Sequence, residues 1–159
     1  MTRCLNVVVL VGMLAGGAAC DDDLFGPDLG PTVGPEHDGV LLELSFPEQV
    51  LAGGSVPFRV LLTNIESEPF TIEDPQFDVY LLDGSGDVLW NFLYGNVIIG
   101  GVDHTIQPGE TYEFEVVWEL NRNDGGTVAE GDYLVFSVFY PLLPPALVSE
   151  TRSITIIGE

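Results

Sequence analysis

The chain offers few side chains for acid–base or nucleophilic chemistry. Its two histidines are His37 and His104, and His104 directly follows Asp103. Ser55 and Ser85 could act as nucleophiles, but neither lies in a Gly-x-Ser-x-Gly motif. The chain also lacks the Gly-x-Gly-x-x-Gly, P-loop and His-Glu-x-x-His motifs. We therefore predict a protein that is not an enzyme, with no catalytic residues and no cofactor.

Oxygen-bearing side chains cluster in two glycine-rich segments, and such oxygens could bind calcium. One segment is Asp83–Asp87, and the other is Asn121–Gly126. The second has Gly125 where an EF-hand loop carries a ligand, and no helical pattern flanks it. We predict that both are hairpin tips and that the chain has no metal site. A third acidic group, on one predicted strand, is typical of a solvated sheet face: Glu113, Glu115 and Glu119.

The first 20 residues resemble a bacterial lipoprotein leader. Arg3 is followed by an apolar run over Leu5–Ala19 that is too short to span a bilayer but fits a signal peptide. The run ends in Gly17-Ala18-Ala19-Cys20, small residues before a cysteine. Removal of the leader takes Cys4 with it, so Cys20 becomes the lone thiol of the mature chain. We predict a signal peptide over residues 1–19 and a lipid on Cys20, which anchors the protein in the cell envelope.

The residues after the leader are strongly acidic. All 25 aspartates and glutamates lie at or beyond Asp21, against four arginines and no lysine, and the formal net charge is -21. Such a charge repels nucleic acid and anionic lipid headgroups, so we expect no nucleic-acid partner. Residues 20–38 contain three Gly-Pro pairs. We predict that they form a spacer between the lipid and a folded domain over residues 39–159.

Period-two patterns from Gly39 onward predict strands. The clearest covers Thr111 to Leu120, where apolar and acidic residues alternate. Gly, Pro and Asp pairs separate the runs. We predict an all-β, immunoglobulin-like antiparallel sandwich of seven or eight strands, with Trp90 and Trp118 in or near its core. Other strand patterns are Val40–Phe46, Phe58–Leu62, Phe77–Leu81, Leu134–Tyr140 and Ile154–Ile156.

The order of several short motifs resembles the BsuPI-type intracellular proteinase inhibitor domain. The resemblance covers about Leu41 to Ile157 and implies an immunoglobulin-like sandwich that inhibits a proteinase. It provides no reactive-site residue. The motifs are Phe58–Asn64, Glu68–Ile72, Phe77–Val79, Asp83–Trp90, Ile106–Glu110, Trp118 and Gly131–Tyr133.

Two uncharged loops could contact a protein partner. One lies within Phe139–Val148 and contains three prolines, and the other lies within Asn96–Val102. Exposed apolar loops can insert into a partner's cleft, although both could instead fold over the end of the sandwich. The candidate contact residues are Asn96, Val97, Ile98, Ile99, Leu142, Leu143, Pro144 and Pro145.

These observations predict an envelope-anchored, non-enzymatic module that binds a protein, and the resemblance implies that the partner is a protease. The alternative is a structural or assembly lipoprotein with no inhibitory activity. The predicted location is the cell envelope, in the inner membrane, in the outer membrane or at the cell surface.

Overall fold

A computed structural model describes residues 32–72, 76–94, 102–141 and 145–158. Within these ranges the chain forms strands and no helix, and so contains no helical segment able to cross a membrane. The strands are β1 (Thr32–Val33), β2 (Glu36–His37), β3 (Val40–Ser45), β4 (Gln49–Leu51), β5 (Val56–Asn64), β6 (Phe70–Ile72), β7 (Gln76–Leu82), β8 (Val88–Asn91), β9 (His104–Ile106), β10 (Thr111–Trp118), β11 (Gly131–Tyr140), β12 (Ala146–Val148) and β13 (Arg152–Ile157).

The strands form two main sheets. In sheet 1, β11 pairs with β7 along one side and with β13 and β12 along the other; β8 extends the sheet beyond β7. Sheet 2 has the order β10-β5-β3-β2 and is antiparallel throughout. The short strands β1 and β4 add to sheet 1 in parallel, and β6 and β9 form a separate ribbon.

The path of the chain between the sheets is immunoglobulin-like. Strands β3 and β5 lie in sheet 2, β7 and β8 in sheet 1, β10 in sheet 2, and β11 and β13 in sheet 1. The Tyr133 hydroxyl, near the start of β11, donates to the Ala129 carbonyl at 2.8 Å, as in the tyrosine corner of such domains. The predicted fold is confirmed, with seven strands of four or more residues.

The core lies between the two sheets and follows the predicted alternation. Strand β5 buries Val56, Phe58, Val60 and Leu62 completely. Trp118 and Trp90 stack on Phe58, with ring centroids 6.2 and 6.1 Å away. Both tryptophans are buried, which confirms their predicted place in the core.

Strand β11 departs from the one-wet-face pattern. Its core-facing residues are Val135 and Phe139, whereas Phe136 and Val138 belong to a second apolar cluster on the outer face of sheet 1. Both faces of the strand are therefore buried over residues 135–139. A central strand covered on both sides loses the alternation from which a buried face is predicted.

Strand pairing begins before the predicted domain boundary at Gly39. Strand β2 pairs with β3 through a two-residue turn, Asp38-Gly39, whose φ angles are 47° and 74°. This is a type I′ hairpin turn, which Asp-Gly favours. A Cβ at Gly39 would clash with the Glu66 side chain, so side-chain crowding also favours glycine. The part of the predicted spacer from Thr32 onward is thus sheet, and residues 20–31 lie outside the described ranges.

Candidate functional site

A cleft of about 430 Å³ opens where β8 meets the turn at Asn121–Gly126. We call it the β8 cleft. It combines tyrosine and asparagine side chains with an arginine and an apolar wall. Its lining residues are Tyr80, Val88, Leu89, Asn91, Tyr94, Arg122, Asn123 and Asp124.

A buried carboxylate beneath the cleft fixes its floor. Asp78, on β7, is 2% exposed. Its Oδ1 accepts hydrogen bonds from the backbone amides of Val79 at 2.9 Å and Leu93 at 3.0 Å. Its Oδ2 accepts from the Asn91 Nδ2 at 2.8 Å. The carboxylate therefore ties β7 to β8 and to the segment after β8.

Burial and hydrogen bonding act in opposite directions on this carboxylate. Removal from water raises the pKa of Asp78, and the donors of Asn91, Leu93 and Val79 lower it. Burial is the larger effect, so the pKa of Asp78 lies above the ordinary value of 3.8.

Two asparagines join β8 to the facing turn. The backbone amide of Asn91 donates to the Asn123 Oδ1 at 3.1 Å, and the side-chain Nδ2 of Asn123 donates to the Asn91 Oδ1 at 2.8 Å. The Asn123 amide also donates to the Leu89 carbonyl at 2.9 Å. Because both side chains are held at two points, the cleft walls are set before any ligand arrives.

Aromatic side chains pack beside the cleft on the outer face of sheet 1. The Tyr80 ring stacks on Phe136 with centroids 5.0 Å apart and planes 9° apart. The hydroxyls of Tyr80 and Tyr140 share a hydrogen bond of 2.9 Å. Burial raises the pKa of both tyrosines, so both hydroxyls are neutral near pH 7.

The rim is accessible to a ligand. Tyr94 is 59% exposed. The Arg122 Nε lies 3.3 Å from the Asp124 Oδ2, and the two side chains are 42% and 65% exposed, although the Nε atom itself is buried and makes no hydrogen bond to the described residues. The cleft offers recognition groups, namely aromatic faces, amides and a guanidinium.

The predicted lipid-bearing and contact residues fall mostly outside the described ranges. Cys20, Asn96–Ile99 and Leu142–Pro144 lie there, so these predictions stand as made. Pro145 is described and is half-buried before β12. Tyr94, on the rim of the β8 cleft, comes two residues before the predicted contact segment at Asn96.

The histidines lie on different strands. His37 is in β2, with its Nε2 3.3 Å from the Asp38 carboxylate. His104 begins β9, and its ring packs on Tyr112 with centroids 4.7 Å apart. The described residues contain no group of three or more His, Cys, Asp or Glu side chains placed to hold a metal ion.

The two glycine-rich segments are turns closed by their own carboxylates. Asp83–Asp87 connects β7 to β8 as predicted, and the Asp83 Oδ1 accepts from the amides of Ser85 at 2.8 Å and Asp87 at 3.1 Å. The Ser85 hydroxyl and amide lower the pKa of Asp83. In the second segment the Asp124 Oδ1 accepts from the Gly126 amide at 3.0 Å.

The predicted acidic stripe lies on the outer face of sheet 2. Glu113 and Glu115 of β10 are about half exposed, and both approach Arg59 on β5, at 3.4 and 3.0 Å. The stripe is thus a solvated face with one cation between two carboxylates.

Sequence reasoning missed Asp78, Tyr80, Asn91 and Tyr140. One signal was present. Asp78 interrupts the run from Phe77 to Leu82, and all the remaining residues of that run are apolar. An acidic residue inside such a strand must find hydrogen-bond donors when it is buried.

Comparison with known proteins gives structural likeness at low identity. The chain matches no protein-family model and no curated protein. Among solved structures it is similar to the CARDB domain of a Pyrococcus furiosus protein crystallised in complex with di-metal ions, at 15% identity and a TM-score of 0.48, over 76% of this chain and 94% of that one. It is also similar to the sporulation control protein Spo0M of Bacillus subtilis, at 12% identity and a TM-score of 0.48, over 77% of this chain and 51% of that one. A third likeness is to a Listeria innocua beta-glucosidase, at 15% identity and a TM-score of 0.41, over 76% of this chain and 16% of that one.

Proposed function

We propose that the chain is an envelope-anchored, non-enzymatic module that binds a protein partner in the β8 cleft. The leader pattern ending at Cys20 supports the anchor, and the pre-formed cleft supports the binding role. The inhibition of a proteinase is the specific form of binding that the resemblance to BsuPI-type domains implies.

The observation that carries the proposal is a rigid floor under an accessible aromatic rim. Asp78, Asn91 and Asn123 hold the floor through hydrogen bonds that connect β7, β8 and the facing turn. Tyr94 and Arg122 lie on the rim, and tyrosine and arginine are enriched among residues that dominate protein–protein binding. A cleft held in one geometry loses little entropy when a partner docks.

Photocrosslinking of the full chain in its own envelope tests this function. We expect p-benzoylphenylalanine at Tyr94 to give a discrete adduct with one protein. The same group at Leu51, exposed on β4 in the described structure, should not. In the Tyr94→Ala variant, recovery of that partner should fall by about 10-fold or more, as for a binding hot spot. Equal crosslinking from both positions, or none from Tyr94, would contradict the proposal.

Two further arms separate the parts of this proposal. The Cys20→Ser chain should leave the membrane fraction, and its retention there would contradict the lipid anchor. A titration of the Cys20→Ser chain against serine proteases should lower their activity stoichiometrically if the partner is a protease. Unchanged protease activity alongside a Tyr94 adduct would support the binding module and contradict the inhibition of a proteinase.

A further inference from the structure

We propose that the free edge of β10 binds a basic, extended peptide segment of another protein by adding it to sheet 2 as a new strand. This surface is separate from the β8 cleft and does not depend on it. Four features of β10 carry the inference: its unpaired backbone, its length, the charge of its outer face and the aromatic side chains beneath it.

The backbone of β10 has hydrogen-bonding groups directed away from its neighbour. The Asn64 amide donates to the Glu110 carbonyl at 3.0 Å, and antiparallel hydrogen bonds recur at every second residue. Tyr112, Phe114 and Val116 therefore bond to β5, while the residues between them, Glu113 and Glu115, and then Val117 direct their N–H and C=O groups outward. Sheet 2 ends at β10, and in the described part of the chain no strand pairs with that side.

The edge is long and regular enough to hold a peptide. Strand β10 has eight residues in unbroken register with β5, about 27 Å at 3.4 Å per residue. It contains no proline and no bulge, two common devices that block an edge strand. The edge at β8, by contrast, has four residues and a register shift against β7.

The charge of the outer face selects a basic occupant. Glu113 and Glu115 are exposed there, Glu43 lies in the same cross-strand row as Glu113, and Glu119 is exposed just after the strand. Arg59 is the one cation that the described residues place among these carboxylates. A second copy of the chain would bring glutamate against glutamate, which is unfavourable in cross-strand pairs. Lysine or arginine at alternate positions would face these carboxylates.

The other face of the incoming strand would be apolar. Of the core-facing residues of β10, Val116 and Trp118 are buried, but Tyr112 and Phe114 are only partly buried. His104 packs on Tyr112, and Phe77 and Phe92 pack on Phe114, so the aromatic surface open to a peptide is the part of these two side chains that stays exposed. Because successive side chains point to opposite faces, the partner should alternate basic and apolar residues.

Peptide titration of the full chain in 0.15 M salt tests the proposal. The probe is a labelled Arg-Val-Arg-Thr-Arg-Val-Arg peptide, and the matched control carries N-methyl groups on alternate backbone nitrogens. We expect N-methylation to weaken binding by about 10-fold or more at unchanged charge, because it removes donors that the edge requires. Hydrogen exchange should slow at the amides of Glu113, Glu115 and Val117.

Variants separate edge pairing from general attraction to an acidic protein. Replacement of both Glu113 and Glu115 by glutamine should weaken binding by about 10-fold, whereas the same change at the exposed Glu130 and Glu150 should have little effect. The Tyr94→Ala variant should bind the peptide as tightly as the parent chain. A failure of the β8 cleft proposal can therefore be distinguished from a failure of the β10 edge proposal. Equal binding of the N-methylated peptide, or equal losses in both glutamine pairs, would overturn the inference.

Discussion

Asp78 shows how one residue joins distant segments. Its partners Asn91 and Leu93 lie 13 and 15 residues away, and Asn91 in turn holds Asn123, 32 residues further on. A carboxylate at this point accepts three hydrogen bonds and has no donor of its own when ionised. A neutral residue of the same shape therefore changes the hydrogen bonding without changing the volume.

The Asp78→Asn variant should lower the free energy of unfolding by roughly 1–3 kcal/mol, because its Nδ2 would face the Asn91 Nδ2, donor against donor. The pH dependence has a defined sign. The pKa of Asp78 is raised above 3.8, so the native chain binds more protons at this site than the unfolded chain does. The resulting stabilisation is fully present below pH 3.8, and it is lost as the pH rises through the native pKa of Asp78. Urea unfolding should show the parent chain's advantage over the variant shrinking from pH 4 towards pH 7.

The exposed Glu150→Gln change is the control for that series, since it removes one carboxylate without a buried network. An advantage of the parent chain that grew with rising pH would contradict the assigned effect of burial on Asp78.

At the scale of elements, the sequence predicted strands wherever one face is wet. Strand β10 alternates apolar and acidic residues, and the Asp83–Asp87 hairpin has its glycines at the turn. Strand β11 was also predicted, but its alternation did not identify the core-facing residues, because residues on both of its faces are buried. The Asp38-Gly39 turn was a readable hairpin signal, but it straddles the predicted boundary between the Gly-Pro-rich spacer and the domain. The β8 cleft was not predictable, since its residues come from three segments whose proximity depends on strand pairing.

The tyrosine corner should stabilise the entry into β11. Tyr133→Phe removes the hydroxyl that donates to the Ala129 carbonyl, which should cost about 1 kcal/mol, or about 4 °C in Tm for a domain of this size. Tyr112→Phe is the matched control because the ring of Tyr112 stacks on Phe77 in the core-facing layer, and its hydroxyl carries no hydrogen bond in the described structure. Thermal unfolding that ranked Tyr112→Phe as the more damaging change would count against the corner.

At the scale of the whole molecule, charge opposes folding. The chain has 25 acidic residues and four arginines, and the ion pairs of Arg59, Arg122 and Arg152 are all solvent-exposed. Exposed pairs contribute about 0–1 kcal/mol each, so they offset little of the repulsion among so many carboxylates. The apolar core between the sheets must therefore supply the stability.

Repulsion of this size should make stability rise with salt. Between 0.01 and 0.1 M NaCl at pH 7 the screening length falls from about 30 to about 10 Å, which weakens repulsion between separated carboxylates more than it weakens close ion pairs. We expect the urea midpoint to increase over that range, and to increase less at pH 4, where fewer carboxylates are charged in the native and unfolded chains. Sodium and potassium chloride should act alike, since screening depends on ionic strength and not on cation identity. A midpoint that fell with salt would mean that the Arg59 pairs with Glu113 and Glu115, together with the other exposed pairs, outweigh the repulsion of the whole acidic surface.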